Sequence, residues 1–464
     1  MLHHMLFSRL LAAASAVVLT VLSFLAPPQR IPDDDTVVRV GLCYGETGKS
    51  SITMHAAGGF TLGRAGADGW TALLAVENET VIVSRLQSRP ITGEARYVNA
   101  APAIEAAERE DGTVFCENGI YMVAKGLSPA ASEAIFTVSD ENGSLLFLYA
   151  GAEALTLSAD AAIEFPADET LYSYRGRIEC RPDGAQFSVI NVVGLEDYVK
   201  GVLPWEIGTN ESDETTKAFA VLTRTAPLSE SKPAHLEDGF DVCTGTCCQI
   251  YRGLARTDER LERLADETAG QILTYEGHPA VVLYHTTSGG ATCSLSEAWG
   301  GDDLPYLRSV DVGEPYTEAQ DGVWTEYLTM RELTSRLRAY GGVFSALTGT
   351  VSDIRVTATD CYGSSFVTEL TVTDNEGNTA VLRYSAPIRQ ALGLKSANFT
   401  LTPLNLYRPN GSVYHAGVRI NGRGYGHGVG LSGTGAAYLS ESLGYDYTRI
   451  LAAYFPGTML KTLA

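Results

Sequence analysis

Glu206 follows Pro204 and Trp205 and stands just ahead of a well-signalled helix. A carboxyl against an indole and aliphatic neighbours loses solvation of its ionised form, which raises its pKa and suits it to donate a proton near neutral pH. A general acid acting on a glycosidic oxygen needs that property. The helix, Asp213 to Thr225 (DETTKAFAVLTRT), opens on acidic residues and is stopped by Pro227. Lys217 and Arg224 are seven residues apart, almost two whole turns, so they share one face and point into one cleft. Spacing alone also describes a solvated stripe.

A second constellation is His235, Cys243, Cys247 and Cys248, within fourteen residues. Thiolates and an imidazole gathered by one loop can fill the tetrahedral shell of zinc, although adjacent cysteines rarely both reach one ion without strain. The rival outside the cytoplasm is a disulfide involving Cys243. The other cysteines, Cys43, Cys116, Cys180, Cys293 and Cys361, are scattered and read as core or disulfide residues. Eight cysteines in 464 residues are too few for a disulfide scaffold.

The elements around these groups read as α+β, with mixed or antiparallel sheets and few helices: Asp213 to Thr225, Asp258 to Thr268, Thr329 to Tyr340, Gly435 to Leu443 and Tyr447 to Tyr454. No βα rhythm suggests a doubly wound sheet. After a short cytoplasmic N-terminus (1–9), Leu10 to Ala26 is uncharged and long enough to span a bilayer, with Arg9 inside and Asp33 to Asp35 outside. It reads as an uncleaved single-pass anchor, which places the rest outside the cytoplasm; cleaved as a signal segment, it would leave a secreted protein. A linker (27–36) leads to a β-rich accessory region (37–165), in which the alanine-rich patch Ala100 to Ala107 adds one helix. The informative domain is 166–464. With 55 acidic against 34 basic side chains and a net charge of −21, nucleic acid is not an expected partner. The run Gly422 to Gly435 lacks the ending of a phosphate loop, and no organic cofactor is expected.

From Tyr174 to the C-terminus the chain resembles the SpoIID (stage II sporulation protein D) and LytB amidase-enhancer family. The resemblance is carried by Tyr174-Arg175-Gly176; Leu195-Glu196-Asp197-Tyr198; Lys200-Gly201-Val202 and Pro204-x-Glu206; Lys217-Ala218-x-Ala220-Val221 with Arg224-Thr225; Asp241-Val242-Cys243 and Cys248-Gln249-Ile250-Tyr251; Ser288-Gly289-Gly290 with Thr292 and Trp299, then Pro305-Tyr306-Leu307; Arg389-x-x-Leu392-Gly393-Leu394-x-Ser396; and Gly422 to Ser432. It implies a lytic transglycosylase of sporulation and engulfment that cuts MurNAc-GlcNAc strands of peptidoglycan stripped of stem peptides, working with a cell-wall amidase. Glu206 would be the catalytic acid/base, with Lys217 and Arg224 in support. Some members bind zinc through a His and cysteines in this region, which points to His235, Cys243 and Cys248, with Cys247 a fourth. Tyr251, Tyr425 and Trp299 are sugar-stacking candidates. His285, Ser288, Gly289 and His427 are further substrate-binding candidates. The alternative is a non-catalytic amidase enhancer or wall-binding scaffold. Departures from the pattern are Trp205 for a small residue, Phe219 for Gln, Ala226-Pro227 for Tyr-Ala, and the loss of Gln after Ser432. Lys217, Arg224, Arg252 and Arg423 fall in motif segments and predict a basic or neutral cleft in an acidic body.

Overall fold

The computed structural model describes residues 30–31, 36–66, 69–86, 89–128, 135–151, 153–229, 235, 237–245, 247–314, 322–407 and 413–463. The expected anchor, Leu10 to Ala26, lies outside the described residues. Among those described, no helix is long and apolar enough to cross a membrane. The fold is α+β and sheet-rich with few helices. It divides into two compact units, one of residues 1–206 and 232–262, the other of residues 207–231 and 263–464.

The first unit holds two large sheets. The eight-stranded one runs Arg30–Ile31, Gly69–Val76, Phe60–Gly66, Ala154–Ser158, Arg177–Asp183, Gln186–Gly194, Val37–Cys43, Val242–Cys243. Val37–Cys43 pairs antiparallel with Gln186–Gly194 and parallel with Val242–Cys243. The sheet therefore crosses the boundary near residue 165 that the strand-rich stretch suggests, because the first strand of the expected accessory region lies between two strands of the motif-bearing domain. Arg39 secures this junction: its guanidinium donates to both oxygens of the buried Glu179 carboxylate at 3.1 and 2.6 Å, and its Nε–H donates to Gly239 O at 3.1 Å. The nine-stranded sheet takes in Ser51–His55, Thr80–Leu86 and most remaining strands of residues 89–174.

Helix Leu195–Glu206 begins where strand Gln186–Gly194 ends, with Glu196 and Asp197 in its first turn, where acidic side chains favour the helix dipole. Leu195, Val199, Val202 and Leu203 are buried along one face. Gly201 and Pro204 are helix breakers, so local sequence does not mark this stretch as a helix. The structure keeps both. Pro204 falls in the last turn, and Gly201 lets the ring of Tyr251 approach so closely that a Cβ would lie 2.5 Å from it. Tyr251 also stacks on Tyr198, ring centroids 5.4 Å apart, and donates through Oη to Asn191 Oδ1 at 2.7 Å. Asn191 in turn donates through Nδ2 to the carbonyls of Arg175 and Arg177. Arg175 pairs with Asp197 at 2.8 Å.

In the second unit, helix Asp213–Thr225 has the bounds that its sequence signals predict, capped by the Ser212 hydroxyl, which accepts from Thr215 N. Helices Glu259–Glu267, Met330–Tyr340, Gly433–Glu441 and Tyr447–Tyr454 fall within two residues of expectation at each end. Ser385–Leu392 is an additional one. A core of Trp324, Leu333, Phe344, Leu370, Ile388 and Ile420, among others, binds sheet Val323–Thr329, Val413–Arg423, Asn398–Tyr407 to sheet Val351–Thr359, Val367–Asp374, Thr379–Arg383.

Gly201→Ala should destabilise the protein by about 1–3 kcal/mol, because the Tyr251 ring must move to admit a methyl group and the gain in helix propensity is smaller. A lower urea midpoint with unchanged slope is the expected result.

Candidate functional site

Glu206 ends its helix half-buried, and the backbone N–H of Ile250 donates to its Oε1 at 2.6 Å. The donor belongs to an irregular segment beginning at Cys243. Tyr251 holds that segment on one side of Ile250. With only 1% of its surface exposed and its hydroxyl bonded to Asn191, Tyr251 is a packing residue here and offers no face to a sugar. Trp205 is half-buried, and the Arg256 guanidinium lies 3.9 Å over its ring.

On the other side of Ile250 lies the cysteine cluster. The ligand atoms of His235, Cys243, Cys247 and Cys248 all fall within 4.8 Å of one another. Cys243 Sγ is 3.1 Å from Cys247 Sγ, and Cys247 Sγ is 3.7 Å from His235 Nε2. Tetrahedral zinc, with bonds of about 2.0–2.3 Å to nitrogen and sulfur, separates its ligands by about 3.3–3.8 Å, so the donor set fits that ion. The Asp238 carboxylate can only accept, so His235 Nδ1 carries the ring proton across their 3.1 Å contact and Nε2 presents its lone pair to the thiols. The Cys248 thiol, then Cys247 and the Gly245 amide, hold Cys243 down to about 4 against the opposing effect of burial, which favours the thiolate a metal requires. His235 is stacked on Phe240 at 4.8 Å, and Tyr44 meets its edge. Among the described residues, which include all eight cysteines, no thiol is joined in a disulfide; Cys43, Cys116, Cys180 and Cys293 are buried and Cys361 is exposed.

In the second unit, Lys217 and Arg224 share one helix face, and both turn toward residues 265–271. Lys217 Nζ lies 2.8 Å from Glu267 and 3.2 Å from Glu214, and these partners, Glu267 first, raise its pKa. Arg224 is 0% exposed, and its guanidinium donates to the carbonyls of Gln271 at 3.1 Å, Ala265 at 3.3 Å and Ala220 at 3.4 Å. It ties helix Asp213–Thr225 to strand Gln271–Tyr275. Phe219, the departure from Gln, packs edge-on against Tyr284 at 5.1 Å.

The remaining candidates gather in the same unit. His285 donates through Nδ1 to Val429 O at 3.2 Å, and burial lowers its pKa to about 4, so the ring is neutral. Its ring lies 5.5 Å from that of His427, whose Nδ1 accepts the Val429 N–H and which is 5.2 Å from Trp299. Trp299 and Tyr425 are 44% and 40% exposed, and both present aromatic surface to solvent. Gly289 has φ +69°, and a Cβ there would meet the Gly424 backbone at 2.7 Å, so its role is close packing. Ser288 is fully buried, its hydroxyl shared between Gly290 O at 2.5 Å and Glu314 Oε2 at 2.8 Å. Glu314 is the residue that sequence reasoning missed. Its buried carboxylate accepts from Thr287, Ser288, Ser432 and Thr434, and so joins the Ser-Gly-Gly turn to the end of the glycine run. Its only sequence signal is the recurrence of hydroxyl residues in both motifs, which implies a shared acceptor.

Residues 183–275 match the family model described as Stage II sporulation protein (SpoIID). Over 284 residues the chain is 30% identical to an uncharacterized protein of Brachyspira hyodysenteriae, covering 61% of this chain and 71% of that one. This chain belongs to the SpoIID family. The Stage II sporulation protein D of Bacillus subtilis is 28% identical over 60% of this chain and 77% of its own length. The Amidase enhancer of the same organism is 26% identical over 57% of this chain and 40% of its own length. The matched segment spans Glu206, the four clustered ligands and the Lys217–Arg224 helix, which makes it the chemically dense part of this SpoIID chain.

Arg224→Met leaves buried carbonyls unpaired and should cost about 2–4 kcal/mol of stability; Arg224→Lys should cost less. Urea unfolding of both variants checks this. Activity lost at unchanged stability would put Arg224 on the ligand instead.

Proposed function

We propose that this SpoIID protein is a membrane-anchored, extracytoplasmic lytic transglycosylase that cleaves stem-free MurNAc-GlcNAc strands of peptidoglycan during sporulation. The observation that carries the reading is the Glu206 carboxyl, held at the end of its helix by the Ile250 amide within the family-matched segment. With Oε1 fixed by a backbone donor, the carboxyl keeps one orientation through two successive proton transfers. Glu206 first protonates the glycosidic oxygen, and the bond from that oxygen to C1 of MurNAc breaks to leave an oxocarbenium-like centre. The resulting carboxylate then takes the proton of the MurNAc 6-hydroxyl as O6 bonds C1, giving a 1,6-anhydro end and a free GlcNAc 4-hydroxyl. The nucleophile belongs to the substrate, so its high effective concentration replaces a second carboxylate and a water. Arg224 positions the helix that presents Lys217.

His235, Cys243, Cys247 and Cys248 hold a structural zinc ion in this reading. It supplies a cross-link to an irregular loop and takes no part in the chemistry. A cell-wall amidase that removes stem peptides is the partner that prepares the substrate. A relative named Amidase enhancer supports a second reading, in which the protein stimulates that amidase without cutting glycan itself.

Glu206→Gln should lower the yield of 1,6-anhydro products from stem-free glycan by about 10²–10⁴-fold with an unchanged unfolding midpoint. Near-parental cleavage by this variant would overturn the assignment, and stimulation of the amidase by a protein yielding no anhydro product would support the second reading. Elemental analysis of untagged protein should find about one zinc per chain. Cys243→Ser or a strong chelator should remove it and lower the melting temperature. Absence of near-stoichiometric metal would leave a disulfide as the fate of these thiols.

A further inference from the structure

Several arginines of the first unit pair with acids: Arg39 with Glu179, Arg64 with Glu153, Arg175 with Asp197, Arg177 with Glu179. Arg256 is not among them. It is exposed, and among the described residues it has no carboxylate partner, although the chain has 55 acidic against 34 basic side chains. Its guanidinium lies 3.9 Å over the ring of Trp205, the residue that immediately precedes Glu206. Arg252, also without an acidic partner among the described residues, lies 5.6 Å over Tyr172 and adds charge of the same sign. Stacking on an indole engages the face of a guanidinium and leaves its N–H groups in the plane, where they can fork onto a carboxylate. The indole also holds the cation in one orientation and excludes water from one side, which strengthens that contact.

We propose that Arg256 stacked on Trp205 forms a carboxylate-binding site, and that its ligand is the lactyl carboxylate of a muramyl residue from which the stem peptide has been removed. The inference rests on the reading of Glu206 as an acid acting on muramyl glycan. A muramyl residue with its stem peptide has this carboxyl locked in a neutral amide; removing the peptide exposes an anion. A forked arginine stacked on the residue that precedes the reacting one therefore distinguishes stripped from peptide-bearing strands by charge. Without the indole the guanidinium has no platform.

The test uses two MurNAc-GlcNAc oligosaccharides of equal length, one with free lactyl carboxylates and one with lactyl methylamides. Calorimetric binding is measured on the full chain in detergent, carrying Glu206→Gln so that nothing is consumed. The acid form should bind about tenfold or more tightly than the amide. Adding Arg256→Gln should bring that ratio close to one. Arg256→Lys, which keeps the charge and loses the fork, should give an intermediate ratio. Both changes lie on the surface, and an unfolding midpoint that stays with the parent shows that the fold is intact. A ratio near one in the parent, a ratio that survives Arg256→Gln, or binding of neither form overturns the proposal. Cleavage of both glycans by the parent chain, read separately, distinguishes the two readings: Glu206-dependent cleavage without acid preference sinks the clamp alone. An Arg256-dependent acid preference in a chain that does not cleave retains the anion site and sinks the catalytic reading.

Discussion

The hydrogen bond from the Ile250 amide to Glu206 depends on a stretch of chain with almost no regular structure of its own. Between strand Val242–Cys243 and helix Glu259–Glu267 the backbone makes turns and few ladder bonds, so its conformation must be set by side chains. Two anchors do this. Before Ile250, the thiol and imidazole cluster gathers Cys243, Cys247, Cys248 and His235 into one small volume. After it, Tyr251 is buried against Gly201 and bonded to Asn191. Ile250 has little freedom between them, and its N–H is delivered to the carboxyl. The cluster and the candidate acid are thus parts of one device, although no ligand atom of the cluster needs to approach the substrate.

The charge of the molecule takes on a similar local meaning. Of the four cations expected to make a basic cleft, Arg224 is buried among carbonyls and Lys217 is neutralised by Glu214 and Glu267. Arg252, another of the four, has no acidic partner among the described residues, and neither does Arg256, which was not among them; both lie in the irregular stretch that carries Ile250. In an acidic chain such a patch stands out electrostatically because its surroundings are of the opposite sign.

What could be read from the sequence depended on how locally each feature is encoded. Helix Asp213–Thr225 was legible because its cap, acidic first turn and stop lie within a few residues of one another. Helix Leu195–Glu206 was not, because its glycine and proline obey a tertiary demand, the approach of Tyr251, that no local window contains. The motifs were visible as a pattern, but the pattern did not separate contact from support: Tyr251, Ser288 and Gly289 are packing and hydrogen-bonding residues, whereas Trp299 and Tyr425 do present surface. Glu314 was hidden among 55 acidic residues because its significance comes only from hydroxyls more than a hundred positions downstream and some twenty-six upstream. The grouping of the cysteine cluster was legible because its members are neighbours in sequence. The pairing of Val37–Cys43 with Gln186–Gly194 and Val242–Cys243 joins segments far apart in sequence and has no local signal.

That pairing also bears on how the molecule is made. A chain grows from its N-terminus, so Val37–Cys43 emerges early, while its two neighbours in the sheet begin at Gln186 and Val242. At about 5–20 residues per second, some 200 residues of synthesis separate Cys43 from Cys243, a wait of about 10–40 s. For most of that interval an apolar strand has both edges open, and after Gln186–Gly194 emerges one edge stays open until Val242–Cys243 is made. The eight-stranded sheet can close only as the segment carrying Ile250 is about to appear, so completion of the sheet and ordering of the candidate acid are nearly simultaneous events. A chain stalled before Gln186 would carry the strand with nothing to pair it, so the site gains its complete sheet only once synthesis has passed Cys243.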